Sequence, residues 1–293
     1  VDVSAVVLPD IEPQGFIQHV RDIEAAGLRG AWTYDHLSWR DMRDGPWHAS
    51  VPLLAAAGTA TTTVRLGFLV ASPNFRHPVP FAKDVMTLDH LAHGRVDLGI
   101  GAGGTGADAT VLGAEPLTPA QRMARFDAFV RCLDTLLRNP ATTDRNGDYD
   151  AVDARMIPGC VQVPRVPLTI AAAGPRGLAL AAELADGWVS YGPPAGAAGD
   201  AATTSPAEAW YGGLAHQSQV LTDACRAIGR DPATIRRVAL VGLLDVELAS
   251  DLGAVVDRTE QLGFDELAIH WPRSDGRGVT EAQVRALLAR AGG

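Results

Sequence analysis

Eight short apolar runs recur along this chain, and each is followed by a helical pattern. The runs fall at residues 3–8, 30–34, 64–70, 96–100, 168–172, 187–191, 238–246 and 267–270. Most are continuous rather than alternating, as strands buried on both faces are. Helical patterns occupy 13–26, 46–60, 78–92, 118–137, 175–185, 206–228, 251–262 and 280–291. Several open at proline, which suits a first turn, and two end at Gly27 and Gly94, which suit the residue after a helix. Strict strand–helix alternation calls for a parallel sheet. Eight repeats in 293 residues predict closure into a (β/α)8 TIM barrel, a fold of roughly 250 residues, as a single domain over 1–293.

Two segments break the rhythm. Residues 138–166 are rich in Pro and Asp and read as an insertion covering an edge or the mouth of the barrel. Residues 192–205, GPPAGAAGDAATTS, offer almost no side chains to pack. A loop after a barrel strand lies at the catalytic end, so this one reads either as a mobile lid or as a plain linker.

Composition narrows the function. With 47% hydrophobic and 20% charged residues the chain is an ordinary globular protein. Its net charge of −9, with Lys83 as the one lysine, argues against nucleic acid as a partner. An anionic ligand then needs a local pocket of arginine or backbone N–H groups. Cys132, Cys160 and Cys225 are odd in number and form no CxxC, which fits a reducing cytoplasm. No apolar run reaches the roughly 20 residues of a membrane span, and no signal peptide is visible. Metal-hydrolase, GxSxG and Walker patterns are absent too.

Chemistry is concentrated where strands end. Asp35-His36 closes the second strand, and a histidine there is either an acid/base near neutral pH or a solvated loop residue. Ser72 and Asn74 flank Pro73 after the third strand, and His77 precedes Pro78 as a helix-start residue or a ligand contact. After the fourth, Gly101, Ala102, Gly103, Gly104 and Gly106 let backbone approach a flat ligand. The string is only superficially Rossmann-like, because it sits mid-chain rather than in a first βαβ unit. After the fifth, Ala173, Gly174, Pro175, Arg176 and Gly177 open a helix. They make either an anion site at its N-terminus or a tight βα turn. Trp39, Trp47 and Trp271 wall a pocket or belong to the core or an interface.

Three stretches in order, EAAGLRGAWTYDHL, TTTVRLGFLVASPNFRHPVPFAKDVMTLDHLAHGRVDLGIGAG and PLTIAAAGPRGLALAAELADGW, resemble the luciferase-like family of flavin- and coenzyme F420-dependent oxidoreductases. Gly113, Arg122 and Phe126 fit the same pattern, and the likeness spans about residues 3 to 188. The Asp-His pair resembles that of F420 users. By this resemblance His36 is the catalytic acid/base and Asp35 lines the cofactor pocket. Leu69–Val70 is a non-proline cis peptide behind the ring, Ser72 contacts the ring, Gly101–Gly103 floor it, and Ala173–Gly177 bind the phosphate. The glucose-6-phosphate dehydrogenases of the family carry a Glu where this chain has Gly104, which puts sugar-phosphate chemistry in doubt. The resemblance implies hydride transfer between F420 and a small organic substrate, by a cytoplasmic homodimer. An FMN-dependent monooxygenase is the alternative on the same fold, and a non-catalytic flavin- or deazaflavin-binding protein the alternative from another class.

Overall fold

The computed structural model describes residues 1–145, 147–193, 205–243 and 245–291. Eight parallel strands close in the order β1-β10-β9-β8-β7-β4-β3-β2. They are β1 (Asp2–Val6), β2 (Gly30–Thr33), β3 (Arg65–Ala71), β4 (Val96–Gly101), β7 (Leu168–Ala171), β8 (Gly187–Ser190), β9 (Arg236–Leu240) and β10 (Glu266–His270). Around them lie α1 (Pro13–Ala25), α2 (Ser50–Ala60), α3 (Pro78–Leu91), α4 (Pro119–Arg138), α5 (Pro175–Leu184), α6 (Pro206–Ala227), α7 (Val246–Ser250), α8 (Leu252–Gln261) and α9 (Glu281–Ala291). The TIM barrel read from the alternation is the fold observed. Each apolar run marks a strand, although the end of the run 238–246 does not: β9 stops at Leu240 and α7 begins at Val246.

The segment 138–166 contains an antiparallel hairpin, β5 (Ala141–Arg145) with β6 (Asp150–Arg155). It clasps α3 from outside: Lys83 Nζ donates to Arg155 O at 2.5 Å, and His90 Nε2 meets Gly159 O at 2.9 Å. The chain then passes under the barrel, where Gln162 Nε2 donates to Val96 O at 2.8 Å and Asp89 accepts from Val161 N and Gln162 N. The insertion therefore covers the outer wall and the N-terminal rim, not the mouth. Residues 194–204 of the 192–205 loop lie outside the described residues, and so does any reading of it as a lid.

Large apolar side chains fill the shell between strands and helices, among them Phe16, Phe81, Phe126 and Phe129. Inside the barrel a smaller group, including Val6, Trp32, Leu69, Val189 and Val238, forms the second core. Below it the floor is ionic. Glu266 accepts from Trp32 Nε1 at 2.9 Å and from the Ser4 hydroxyl, and pairs with Arg236 at 2.7 Å and Arg29 at 3.4 Å. Asp97 pairs with Arg65 at 2.7 Å and Arg29 at 3.1 Å. Burial pushes the Glu266 carboxyl up, against the pull of Arg29 and its hydrogen-bond donors.

Two features of the interior yield predictions. A Cβ on Gly67 would stand 2.4 Å from the Trp32 ring and 2.5 Å from Asp97 O. Gly67→Ala is therefore expected to cost about 1–3 kcal/mol by overpacking, read as a lower urea midpoint at unchanged slope. At the upper end, His270 Nε2 lies 3.0 Å from Tyr34 Oη. Burial, with Arg273 beside it, pushes the His270 imidazole down to about 3. The unfolded chain takes up that proton near 6.5, so this residue's contribution to stability is complete above that value and is lost as pH falls towards about 3. Proton-detected NMR should find His270 neutral at about pH 5, and an imidazolium there would contradict the burial argument.

Candidate active site

A cavity of about 1310 Å³ opens at the C-terminal end of the strands, the end where barrel enzymes place their chemistry. Two strand ends furnish its floor. From β3 come Leu69, Val70 and Ser72, and the Leu69–Val70 peptide is cis, as the resemblance implies. From β4 come Gly101, Ala102 and Gly103. A Cβ on Gly101 would stand 2.7 Å from Val70 Cγ2. Gly103 holds φ +76°, with Asn74 Oδ1 2.5 Å from where its Cβ would be. The floor is bare because side chains do not fit there, and bare backbone suits the approach of a flat ring.

The third wall is the N-terminus of α5. Ala173, Gly174, Pro175, Arg176 and Gly177 all line the cavity. Gly174 is the N-cap, in extended conformation, and no side chain caps the helix. Its first-turn N–H groups and positive dipole end therefore remain for an anion. Arg176 forms no ion pair with any described residue.

The second strand delivers two adjacent polar residues to opposite environments. Asp35, expected to line the pocket, is instead buried at 2% exposure beneath it. Arg76 Nε and Nη2 reach its two oxygens at 2.5 and 2.6 Å, and Ser50 Oγ donates at 2.5 Å. A carboxylate so fully paired anchors the turn after β2 and is not offered to a ligand. His36 does face the cavity. Its Nδ1 lies 2.6 Å from Asp108 Oδ2, while Asp108 Oδ1 accepts from the backbone N–H groups of Leu37 and Ser38 at 3.1 and 3.3 Å. The Asp108 side chain is 5% exposed and that of His36 32%. The acid is thus held below, and Nε2 is the imidazole nitrogen open to a ligand.

Asp108 escaped the sequence reading, which named Asp35 beside His36 and compared only Gly104 with a family Glu. Its signal was present: it is the one acid between residues 98 and 114, just after the glycine string, on a 3-10 turn over Ala107–Ala109. The aromatic wall divides the three tryptophans. Trp39 lines the cavity, edge-on to Tyr34 at 5.2 Å and stacked on Trp47 at 6.1 Å. Trp47 Nε1 donates to His36 O at 2.8 Å. Trp271 packs outside, against His19. His77 caps α3, accepting from Val79 N at 3.2 Å, and is a helix-start residue.

A coenzyme F420-dependent glucose-6-phosphate dehydrogenase of Beutenbergia cavernae is 35% identical over 179 residues, 60% of this chain and 52% of that protein. A 4-hydroxyprotoasukamycin monooxygenase of Streptomyces nodosus subsp. asukaensis is 30% identical over 179 residues, 59% and 47% of the respective lengths. The chain thus spans about half the length of the curated relatives it matches. In fold, the coenzyme F420 dependent tetrahydromethanopterin reductase of Methanopyrus kandleri superposes with a TM-score of 0.72 at 16% identity, covering 98% of this chain and 96% of its own. The family model for luciferase-like monooxygenases matches residues 3–244. The chain belongs to the luciferase-like monooxygenase family.

Proposed function

We propose that this protein is an oxidoreductase that moves hydride between coenzyme F420 and a small organic substrate, with His36 as the acid/base. The observation that carries the chemistry is the His36–Asp108 pair at 2.6 Å on the wall of a cavity with a glycine floor. The cofactor reading draws on relatives and fold neighbours that include F420-dependent enzymes. The residues present fit such a group: the uncapped α5 N-terminus and Arg176 suit a phosphate, and Gly101–Gly103 with Leu69 and Val70 suit a flat ring.

A bound deazaflavin supplies a ring carbon that accepts or donates hydride. The chain supplies orientation and one proton. Asp108 fixes the imidazole through Nδ1 and stabilises its protonated form, so Nε2 takes the substrate proton in oxidation and returns it in reduction. Val70 and Leu69 back the ring, and Trp39 shields the substrate side from water. The same reading makes residues 1–293 one domain acting in the cytoplasm as a homodimer. Its support is three cysteines without a disulfide and the exposed Val152, Ile157, Val161 and Val163 of the insertion.

Titration with F420 and with FMN tests the cofactor, since tighter binding of FMN with oxygen-dependent turnover would move the reading to flavin monooxygenation. With F420 and a panel of secondary alcohols, aldehydes and enones, His36→Asn is expected to lower kcat by about 10²–10⁴-fold. Asp108→Asn should lower it by at least about tenfold, and both variants should keep cofactor affinity. Parent-like turnover by His36→Asn with the best substrate refutes the acid/base role. The phosphate site is best probed at Gly174, where a Cβ meets nothing within 4 Å, whereas at Gly177 it would stand 2.8 Å from Ala172 Cβ. Gly174→Asp caps α5, so stability should hold or rise by up to about 1 kcal/mol. F420 affinity should nevertheless fall at least about tenfold by charge repulsion at the helix end. Unchanged affinity would place the phosphate elsewhere.

A further inference from the structure

The chain is acidic, with a net charge of −9, and its arginines are mostly spent on its own carboxylates. Around the mouth Arg273 is paired with Asp10 at 2.7 Å and Asp275 at 2.6 Å, and Arg277 with Asp41 at 3.0 Å and Asp275 at 2.9 Å. Arg40 and Arg43 are different. Both line the cavity, and neither has a carboxylate of a described residue within ion-pair distance.

Their placement is built. The turn Arg40–Met42 buries Met42 inward, beside the Trp32–Leu69 core, and is tied outward by Asp41 to Arg277. Immediately before these two anchors Arg40 sits at φ 48°, a left-handed backbone that is costly for a residue with a side chain and is kept where structure enforces it. Its guanidinium stacks 4.7 Å over the Trp39 ring. Stacking engages the face of the guanidinium and leaves its edge donors free, and that planar fork matches a carboxylate. The turn follows β2, three places around the barrel from the β7–α5 junction, so it is separate from the α5 anion site.

The geometry points to a carboxylate subsite formed by Arg40 and Arg43, with Trp39 as the apolar platform beside it. This deepens the reading of the cavity as an F420-dependent site and rests on it. One chemistry has two sources here: a substrate carboxylate, or the glutamate tail that the coenzyme carries beyond its phosphate.

The test uses the full chain and reads tryptophan fluorescence. Benzoate, its neutral isostere benzamide, and phenyl phosphate are titrated into the parent, Arg40→Gln and Arg43→Gln. In parallel, F420 is titrated with and without its glutamate tail. The parent should bind benzoate about tenfold more tightly than benzamide, the scale of a hydrogen bond to a charged group. Each substitution should abolish that preference while leaving benzamide affinity unchanged. If tailed and tail-less F420 then bind both variants as they bind the parent, the carboxylate is the substrate's. If instead only the tailed form loses affinity in the variants, the carboxylate is the coenzyme's. Both outcomes support the subsite. Two results overturn it: no discrimination by the parent in either pair, or a benzoate preference that survives both substitutions; phenyl phosphate reports the α5 anion site and should bind the variants as it binds the parent. The benzoate arm needs no cofactor. A parent that selects benzoate yet binds neither form of F420 therefore sinks the cofactor reading and leaves the subsite standing.

Discussion

A single buried carboxylate holds the barrel shut. Glu266, at the start of the last strand, meets Ser4 of the first strand, Trp32 of the second and Arg236 of the ninth. Register between first and last strands runs unbroken from Asp2↔Glu266 to Val6↔His270. Removing an ion from water is expensive, and only complete pairing offsets it. Three arginines against two acids offset part of that cost, and burial still holds the Glu266 carboxyl above its ordinary value. In exchange, one seam of the sheet acquires a unique register, because a slip by one residue would leave Glu266 alone in an apolar interior.

The same economy of charge shapes the mouth. Asp35 and His36 are consecutive, just past the end of β2, and their side chains leave it in opposite directions. One goes down to Arg76 and Ser50, where it is spent on structure. The other comes up into the cavity and is supplied with a different acid, Asp108, from a loop on the far side of the third strand. Two carboxylates near one histidine thus have separate duties: Asp35 sets the position of the turn and Asp108 sets the orientation of the ring. Held by two backbone donors of its own, Asp108 does not have to move when a ligand arrives.

The barrel was legible because strands buried on both faces must be written as apolar runs, whatever their neighbours. β5 and β6 were not, since ATTDR and DAVDAR lie on the surface and carry no such run. The end of β9 was overread for the opposite reason: GLLDV stays apolar after Gly242 has turned the chain, with Asp245 Oδ2 accepting from Gly242 N at 2.7 Å. At the site, backbone-made features could be read. Glycines and a helix start announce themselves locally. The cis bond came from the resemblance alone. Side-chain pairings between distant segments, such as His36 with Asp108 or Asp35 with Arg76, depend on how loops fold over the mouth, and no periodicity records that.

The tie between Asp41 and Arg277 joins the loop after the second strand to the loop after the last. On a ribosome these two pieces appear at opposite ends of synthesis. The pocket wall is translated early, but its tie through Asp41 cannot form until the final strand and its loop have emerged. A growing chain therefore carries its cavity histidine and its aromatic wall long before this last tie is made. The last tie of the pocket wall therefore comes together with closure of the sheet, and chains cut short are left without a finished pocket.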